Sequence, residues 1–143
     1  MCAMELQSCL EKQRKCLETF SSLSTTEEKY HHVIKLGRSA SPMTLEDQVE
    51  THLVQGCQSL LYLKVTCKNK QLLISTHSDA LISSGLAFLL TQVYNGEPPE
   101  AVFKCPPTFI KEMGLLSALS PSRANGLNSL YQKLQKESLK WLT

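Results

Sequence analysis

Along the first twenty residues apolar side chains return at Leu6, Cys9, Leu10, Cys16 and Leu17, a three-to-four spacing that puts one stripe on a helix. A second helix is predicted in LSTTEEKYHHVIKLG. Thr25 stands three residues before Glu28 in a capping-box pattern, Tyr30, Val33 and Ile34 share a face, and Gly37 is placed to end the helix. After the polar link SASPMTLED the period changes. VETHLV (49–54), SLLYLKVT (59–66) and QLLIST (71–76) each read as a short strand, and Lys68-Asn69-Lys70 supplies a tight turn. Together they predict a three-stranded antiparallel meander, with Gly56-Cys57-Gln58 at the tip of its first hairpin.

The helical period resumes over 79–94, where Ser78 is suited to cap and Asp79 lies at the positive helix end; Asn95-Gly96 is the stop. Two short helical turns follow in PPEAV (98–102) and PPTFIKEM (106–113), each with proline near its first position, and Gly114 ends the second. The last helix takes Ser120 as cap and Pro121 in its first turn, with Leu127, Leu130, Tyr131, Leu134 and Trp141 as a buried stripe. The sum is an α+β fold: a small three-stranded antiparallel sheet covered by helices, in one domain over residues 1–143.

Composition narrows the function classes. At 143 residues and 42% hydrophobic content, the chain has the size of one domain with a true core. Fifteen basic against thirteen acidic residues leave a net +2, and the basic residues are dispersed rather than interleaved with aromatics, so no nucleic-acid surface is expected. The most apolar stretch, ALISSGLAFLLTQVY, is shorter than the ~20 residues of a membrane span, and MCAMELQSCLEKQRK lacks a signal-peptide apolar run. A cytoplasmic protein without membrane contact is expected.

Six cysteines invite a disulfide framework, yet that reading needs an oxidising compartment and suits shorter chains. There is no CxxC pair, the four histidines make no ligand pattern with the thiols, and no metal site is expected. Cys2, Cys9 and Cys16, seven apart, share one helix face and read as small apolar side chains. His31 and His32 point about 100° apart and do not act as joint ligands.

Cys57 is different by position. On a loop tip after glycine a thiol gains little from burial and stands open to chemistry, while Gly56 allows an unusual backbone angle or close approach. A packed small side chain and a working nucleophile both remain open at this point. QGCQS echoes the caspase pattern only superficially: Ser59 replaces its glycine, and His31 and His32 precede Cys57 by 26 and 25 residues rather than about 50. A cluster scaffold needs three or four converging ligands; a group-accepting thiolate needs one. A hydrolase needs a histidine beside the sulfur, for which His77 is the candidate; Cys67 and Cys105 are the reserve thiols.

EEKYHHVIKLG, VQGCQS, HSDALISSGLAFLLTQVYNGEPPEAV and LSPSRANGL, in this order and spacing, resemble the SufE family of sulfur-acceptor proteins over about residues 20–135. The predicted N-terminal helix (1–18) lies outside that span. The resemblance implies a SufE/IscU-like fold and a partner, a pyridoxal-phosphate cysteine desulfurase, whose persulfide sulfur passes to Cys57 and onward to an iron–sulfur scaffold. The cofactor then belongs to the partner and none to this chain. An iron–sulfur scaffold or metal-binding module of the same fold is the alternative. A thiol near its ordinary pKa is mostly protonated at neutral pH, so a resting Cys57 is expected to be sluggish, tucked against sheet and helices until docking releases it.

The resemblance also marks Arg123, in the first helical turn where the dipole disfavours a cation; it either positions the cysteine loop or stabilises its thiolate, or it pairs with Asp79 or another carboxylate. Gln58 and Ser59 are expected to supply loop hydrogen bonds. His52, His77, Leu60 and Tyr62 depart from the family's usual residues, which bears on partner-facing detail.

Overall fold

The computed structural model describes residues 3–40, 43–56 and 59–142. Helix α1 (Ala3–Ser21) and helix α2 (Thr26–Ser39) lead into two single 3-10 turns, Leu45–Asp47 and Glu50–His52. An antiparallel hairpin follows, β1 (Leu61–Lys68) and β2 (Gln71–Ser78), then α3 (Leu81–Gln92), the short α4 (Glu100–Lys104) and α5 (Thr108–Glu112), a 3-10 turn at Leu116–Ala118, and α6 (Pro121–Leu139).

The second helix starts as its sequence predicts. Glu28 N–H donates to Thr25 Oγ1 at 3.1 Å, while the Glu28 carboxylate reaches one residue further back than a capping box requires, accepting from Ser24 N–H at 3.1 Å. Gly37 does not end it. The helix runs on to Ser39, and Gly37 instead faces α3, where a β-carbon would lie 2.6 Å from the Leu81 carbonyl oxygen. The glycine is there for close helix crossing, not for a left-handed cap.

The hairpin closes through Asn69 (φ 54°) and Lys70 (φ 63°), the two left-handed residues of a tight turn between Lys68 and Gln71. Leu61, Leu63 and Val65 alternate inward, and Leu72 faces the same core from β2. This core is continuous from Cys9 and Phe20 of α1 to Leu130 and Leu134 of α6.

The sheet has two strands among the described residues, not three. In the predicted strand 49–54, the N–H groups of His52 and Leu53 turn back to the carbonyls of Val49 and Glu50, and only Leu53 bridges β1, at Tyr62. Local bonds satisfy this backbone: the His52 ring meets the Asp47 carbonyl at 2.7 Å, and Asp47 pairs with Lys64 at 3.0 Å. Polar Glu50, Thr51 and His52 have little apolar area to gain from extension.

On the other side of the sheet, the Asn95-Gly96 stop doubles as an edge cover. Leu72 N–H donates to the Glu97 carbonyl and Gly96 N–H to the Leu72 carbonyl, both at 2.8 Å, and Asn95 Oδ1 accepts from Ile74 N–H at 2.8 Å. The preceding helix begins later than predicted, at Leu81, because β2 continues to Ser78. Ser78 Oγ accepts from Ala80 N–H at 3.2 Å in a turn ahead of the helix rather than capping it. In α6, Ser120 Oγ accepts from Arg123 N–H at 3.3 Å and Pro121 opens the helix as expected; Trp141 lies beyond its end, 40% exposed, and is not part of the stripe.

Candidate functional site

Cys57 and Gln58 lie outside the described residues, so the site is built from what surrounds them. Val54 N–H donates to the Leu61 carbonyl at 2.8 Å beside the Leu53–Tyr62 bridge, closing a loop of residues 55–60. Buried Val54 and Leu61 anchor its two ends, while Leu60 stays 54% exposed. Gly56-Cys57-Gln58 is expected at the tip of a hairpin between two strands; the first arm is instead a single bridge at Leu53, and Cys57 and Gln58 lie outside the described residues.

Gly56 has φ +82°, a conformation that costs an L-residue about 1–2 kcal/mol. It also lies against α6, where a β-carbon would stand 3.0 Å from Ser129 Oγ. One turn on, Lys133 Nζ donates to the Thr51 carbonyl at 3.1 Å. Helix α6 thus meets the loop at Ser129 and the turn before it at Lys133, an i, i+4 face. Sequence reasoning missed Ser129 and Lys133; the one available signal was this polar strip beside the leucine stripe.

Arg123 lies in the first turn of the same helix. Its side chain lines a cavity of about 20 Å³ with Leu61, Ser83, Leu86, Gly126 and Leu127, and the cavity borders the point where the loop re-enters β1. Its Nε is buried without a hydrogen-bond partner among the described residues. Asp79 is exposed just before α3 and, among the described residues, forms no ion pair with Arg123. A guanidinium N–H with no partner among the described residues is a donor that an acceptor beside the cavity can satisfy.

The remaining candidates are placed plainly. His77 lies on β2 with its ring tilted against Tyr62, centroids 6.4 Å apart. Cys9 and Cys105 are buried, Cys16 and Cys67 half-buried, and all four are free thiols. Cys9 and Cys16 pack in or against the core as the helix stripe implied. His31 is exposed; His32 meets Phe20 edge-on at 5.1 Å. Among the described residues, no three His, Cys, Asp or Glu side chains converge as a metal site, and no helix is long and apolar enough to cross a membrane.

Relatives give this arrangement its context. The chain is 30% identical over 125 residues to an uncharacterised SufE-like protein of Synechocystis, covering 87% of this chain and 79% of that one. It is 31% identical over 130 residues to the cysteine desulfuration protein SufE of Plasmodium falciparum, covering 87% of this chain and 52% of that one. A chloroplastic/mitochondrial SufE-like protein 1 of Arabidopsis thaliana is 27% identical over 129 residues, 90% of this chain and 35% of that one. The chain therefore spans about half of the Plasmodium relative and about a third of the Arabidopsis one. Among solved structures, the solution structure of a hypothetical protein from Thermus thermophilus superposes with a TM-score of 0.76 at 27% identity, covering 90% of this chain and 94% of that one.

A hairpin carrying helices, with one closed loop beside the last of them, defines an α+β domain, and the family described as the SufE Fe–S metabolism associated domain matches residues 14–138. The chain belongs to this family, SufE.

Proposed function

We propose that this protein is a sulfur acceptor: Cys57 takes the outer sulfur from the persulfide of a cysteine desulfurase, stimulates that enzyme by clearing it, and passes the sulfur on for iron–sulfur cluster assembly. The observation that carries this reading is the loop 55–60, closed by the Val54–Leu61 hydrogen bond and bordered by a cavity lined by Arg123, whose Nε has no partner among the described residues. The pyridoxal phosphate of the reaction belongs to the desulfurase, and a downstream scaffold is the recipient.

In the transfer, the Cys57 thiolate attacks the outer sulfur of the donor persulfide. The S–S bond to the donor cysteine breaks, the donor leaves as a thiolate, and Cys57 carries the persulfide; no net oxidation occurs. An arginine donor near the loop favours the charged states of the entering thiolate and the product persulfide. Gly56 lets the backbone take its left-handed turn beside Ser129, Gln58 contributes loop hydrogen bonds, and Asp79 serves the start of α3. The cavity accommodates little more than one small atom, which suits shielding a single added sulfur from water between transfers. Docking of the desulfurase then makes Cys57 more accessible.

Intact mass after incubation with a desulfurase and cysteine tests the proposal: a gain of about 32 Da per transferred sulfur is expected, lost in Cys57→Ser. Retention of the gain in that variant moves the role to another thiol. Alkylation of Cys57 at equal rates with and without the desulfurase counts against release on docking, and strong colour after iron and sulfide reconstitution favours a scaffold.

A further inference from the structure

Away from the cysteine loop, α1, α2 and α3 enclose a groove of about 330 Å³, at the lower end of the roughly 300–1,000 Å³ that small-molecule sites occupy. It shares no lining residue with the cavity beside Arg123. Its floor is apolar, with Phe20 and Leu89 buried there. The groups around that floor include Lys12 and Lys15 from α1, His32 from α2 and Gln92 from α3, and among the described residues no carboxylate lines it.

These polar groups differ in how far they are already engaged. Lys12 Nζ is held by the Glu97 carboxylate at 2.7 Å and the Asn95 carbonyl at 2.9 Å. Gln92 Nε2 donates to Cys16 Sγ at 3.4 Å, which sets that thiol in the groove wall. Lys15 Nζ makes no hydrogen bond or ion pair among the described residues. His32 is half-buried with its ring edge-on to Phe20, and among the described residues neither ring nitrogen has a hydrogen-bond partner. A free ammonium and an unmatched imidazole beside a buried apolar floor complement a ligand with one anionic head and an apolar body.

We infer that this groove is a binding site for a small amphiphilic carboxylate, its head taken by Lys15 and His32 and its aliphatic body laid on Phe20 and Leu89. One uncommitted lysine matches one negative charge; a phosphate dianion would leave its second charge without a partner.

The charged groups around the His32 ring are Lys12 and Lys15 from α1 and Lys35 on its own helix, while α3 presents Gln92 and no charge. Burial, followed by the charge of Lys35, lowers the pKa of His32, so the ring is mostly neutral at neutral pH. A bound carboxylate favours the protonated ring, and binding therefore strengthens as pH falls from about 8 to about 6.

The probe is sodium octanoate, titrated into the full chain at fixed ionic strength and followed by amide NMR shifts, with acetate and octanol as head-only and body-only controls. Saturable shifts confined to the three helices around the groove are expected, with a Kd of about 1 mM or below and both controls about tenfold weaker or more. Octanoate at saturation should slow alkylation of Cys16 several-fold, read by peptide mass, and leave Cys67 unchanged. Lys15→Met should weaken octanoate about tenfold, the order expected from losing a charge-assisted hydrogen bond, and the tightening toward low pH should vanish in His32→Gln. Equal binding of octanoate and octanol, unchanged affinity in Lys15→Met, shifts that spread over the surface without saturating, or an unprotected Cys16 each overturn the inference.

Discussion

Gly85 of α3 lies directly under Val33 of α2: a β-carbon on the glycine would sit 1.9 Å from the Val33 carbonyl oxygen and 2.8 Å from its Cγ1. The obstacle is backbone, so the contact has no flexible end that gives way. Gly85→Ala must push two helices apart across a face that also includes Gly37. Destabilisation of about 3 kcal/mol or more is expected, at the upper end of overpacking costs, read as a lower urea midpoint with unchanged m-value. A variant of ordinary stability shows that the helices slide freely past each other.

The hairpin turn offers the opposite sign. Lys70 sits at φ +63° in the second position of a two-residue turn, where glycine is preferred after asparagine. Lys70→Gly relieves a left-handed strain of ~1–2 kcal/mol and gives back ~0.5–1 kcal/mol in chain entropy. A net gain of roughly 0.5–1 kcal/mol is expected, a rise of a few degrees in Tm. An unchanged or lower Tm shows that Lys70 contributes something the backbone does not reveal.

These two glycine questions illustrate what the sequence conveys. Lys68-Asn69-Lys70 is legible as a turn because its constraint is local, and so are the Thr25 and Ser120 caps, which bond three residues away. Gly37 is not legible, because a cap glycine and a crossing glycine look alike until the residue opposite is known. The absent third strand has the same cause: 49–54 carries Val49, Leu53 and Val54, yet extension depends on a partner for several rungs, and among the described residues local turns meet its backbone needs first. At the candidate site, the loop and Arg123 are visible as motifs. Ser129, Lys133 and Ser83 are not, since they reach the loop only through the packing of α6 and α3.

His32 gives the protein a pH dependence near neutrality. Burial, followed by the charge of Lys35, lowers the pKa of His32, and its ring shares a groove with Lys12 and Lys15. The folded state therefore binds the proton less well than the unfolded one. The associated stability is full above the unfolded pKa of about 6.5 and is lost as pH falls through the lower folded value. Urea midpoints measured from pH 7.5 down to pH 5 should decline, and less steeply in His32→Gln. Identical slopes for the two proteins remove His32 as the cause.

Gly56→Ala tests the loop without touching its thiol. The substitution meets both a φ of +82° and Ser129 Oγ at 3.0 Å, but a serine side chain is small and can turn away. Most of the cost is then conformational, about 1–2 kcal/mol. Because the loop relaxes to avoid that cost, sulfur transfer should fall more than global stability does. Gly56→Ala with Ser129→Ala separates the two effects: relief of the clash alone restores transfer if contact was the fault, and leaves it low if backbone conformation was.

Arg123 allows the sharpest separation of folding from function. It occupies the first turn of α6, where the helix dipole disfavours a cation, and its Nε has no partner among the described residues. Arg123→Met keeps a stem of similar length against Leu61 and Leu127 and removes the charge. Stability should stay level or rise by ~0.3–1 kcal/mol, the usual size of a helix-end charge effect. Persulfide formation on Cys57, followed by intact mass against time with a desulfurase, should slow about tenfold, because a charge-assisted hydrogen bond to the reacting sulfur is worth roughly 1.5–3 kcal/mol. Arg123→Lys retains the charge but not the fork, and should recover only part of the rate if Nε is the donor that matters. Loss of stability in Arg123→Met with transfer intact reverses the assignment, making the arginine a packing residue of the α3–α6 cavity.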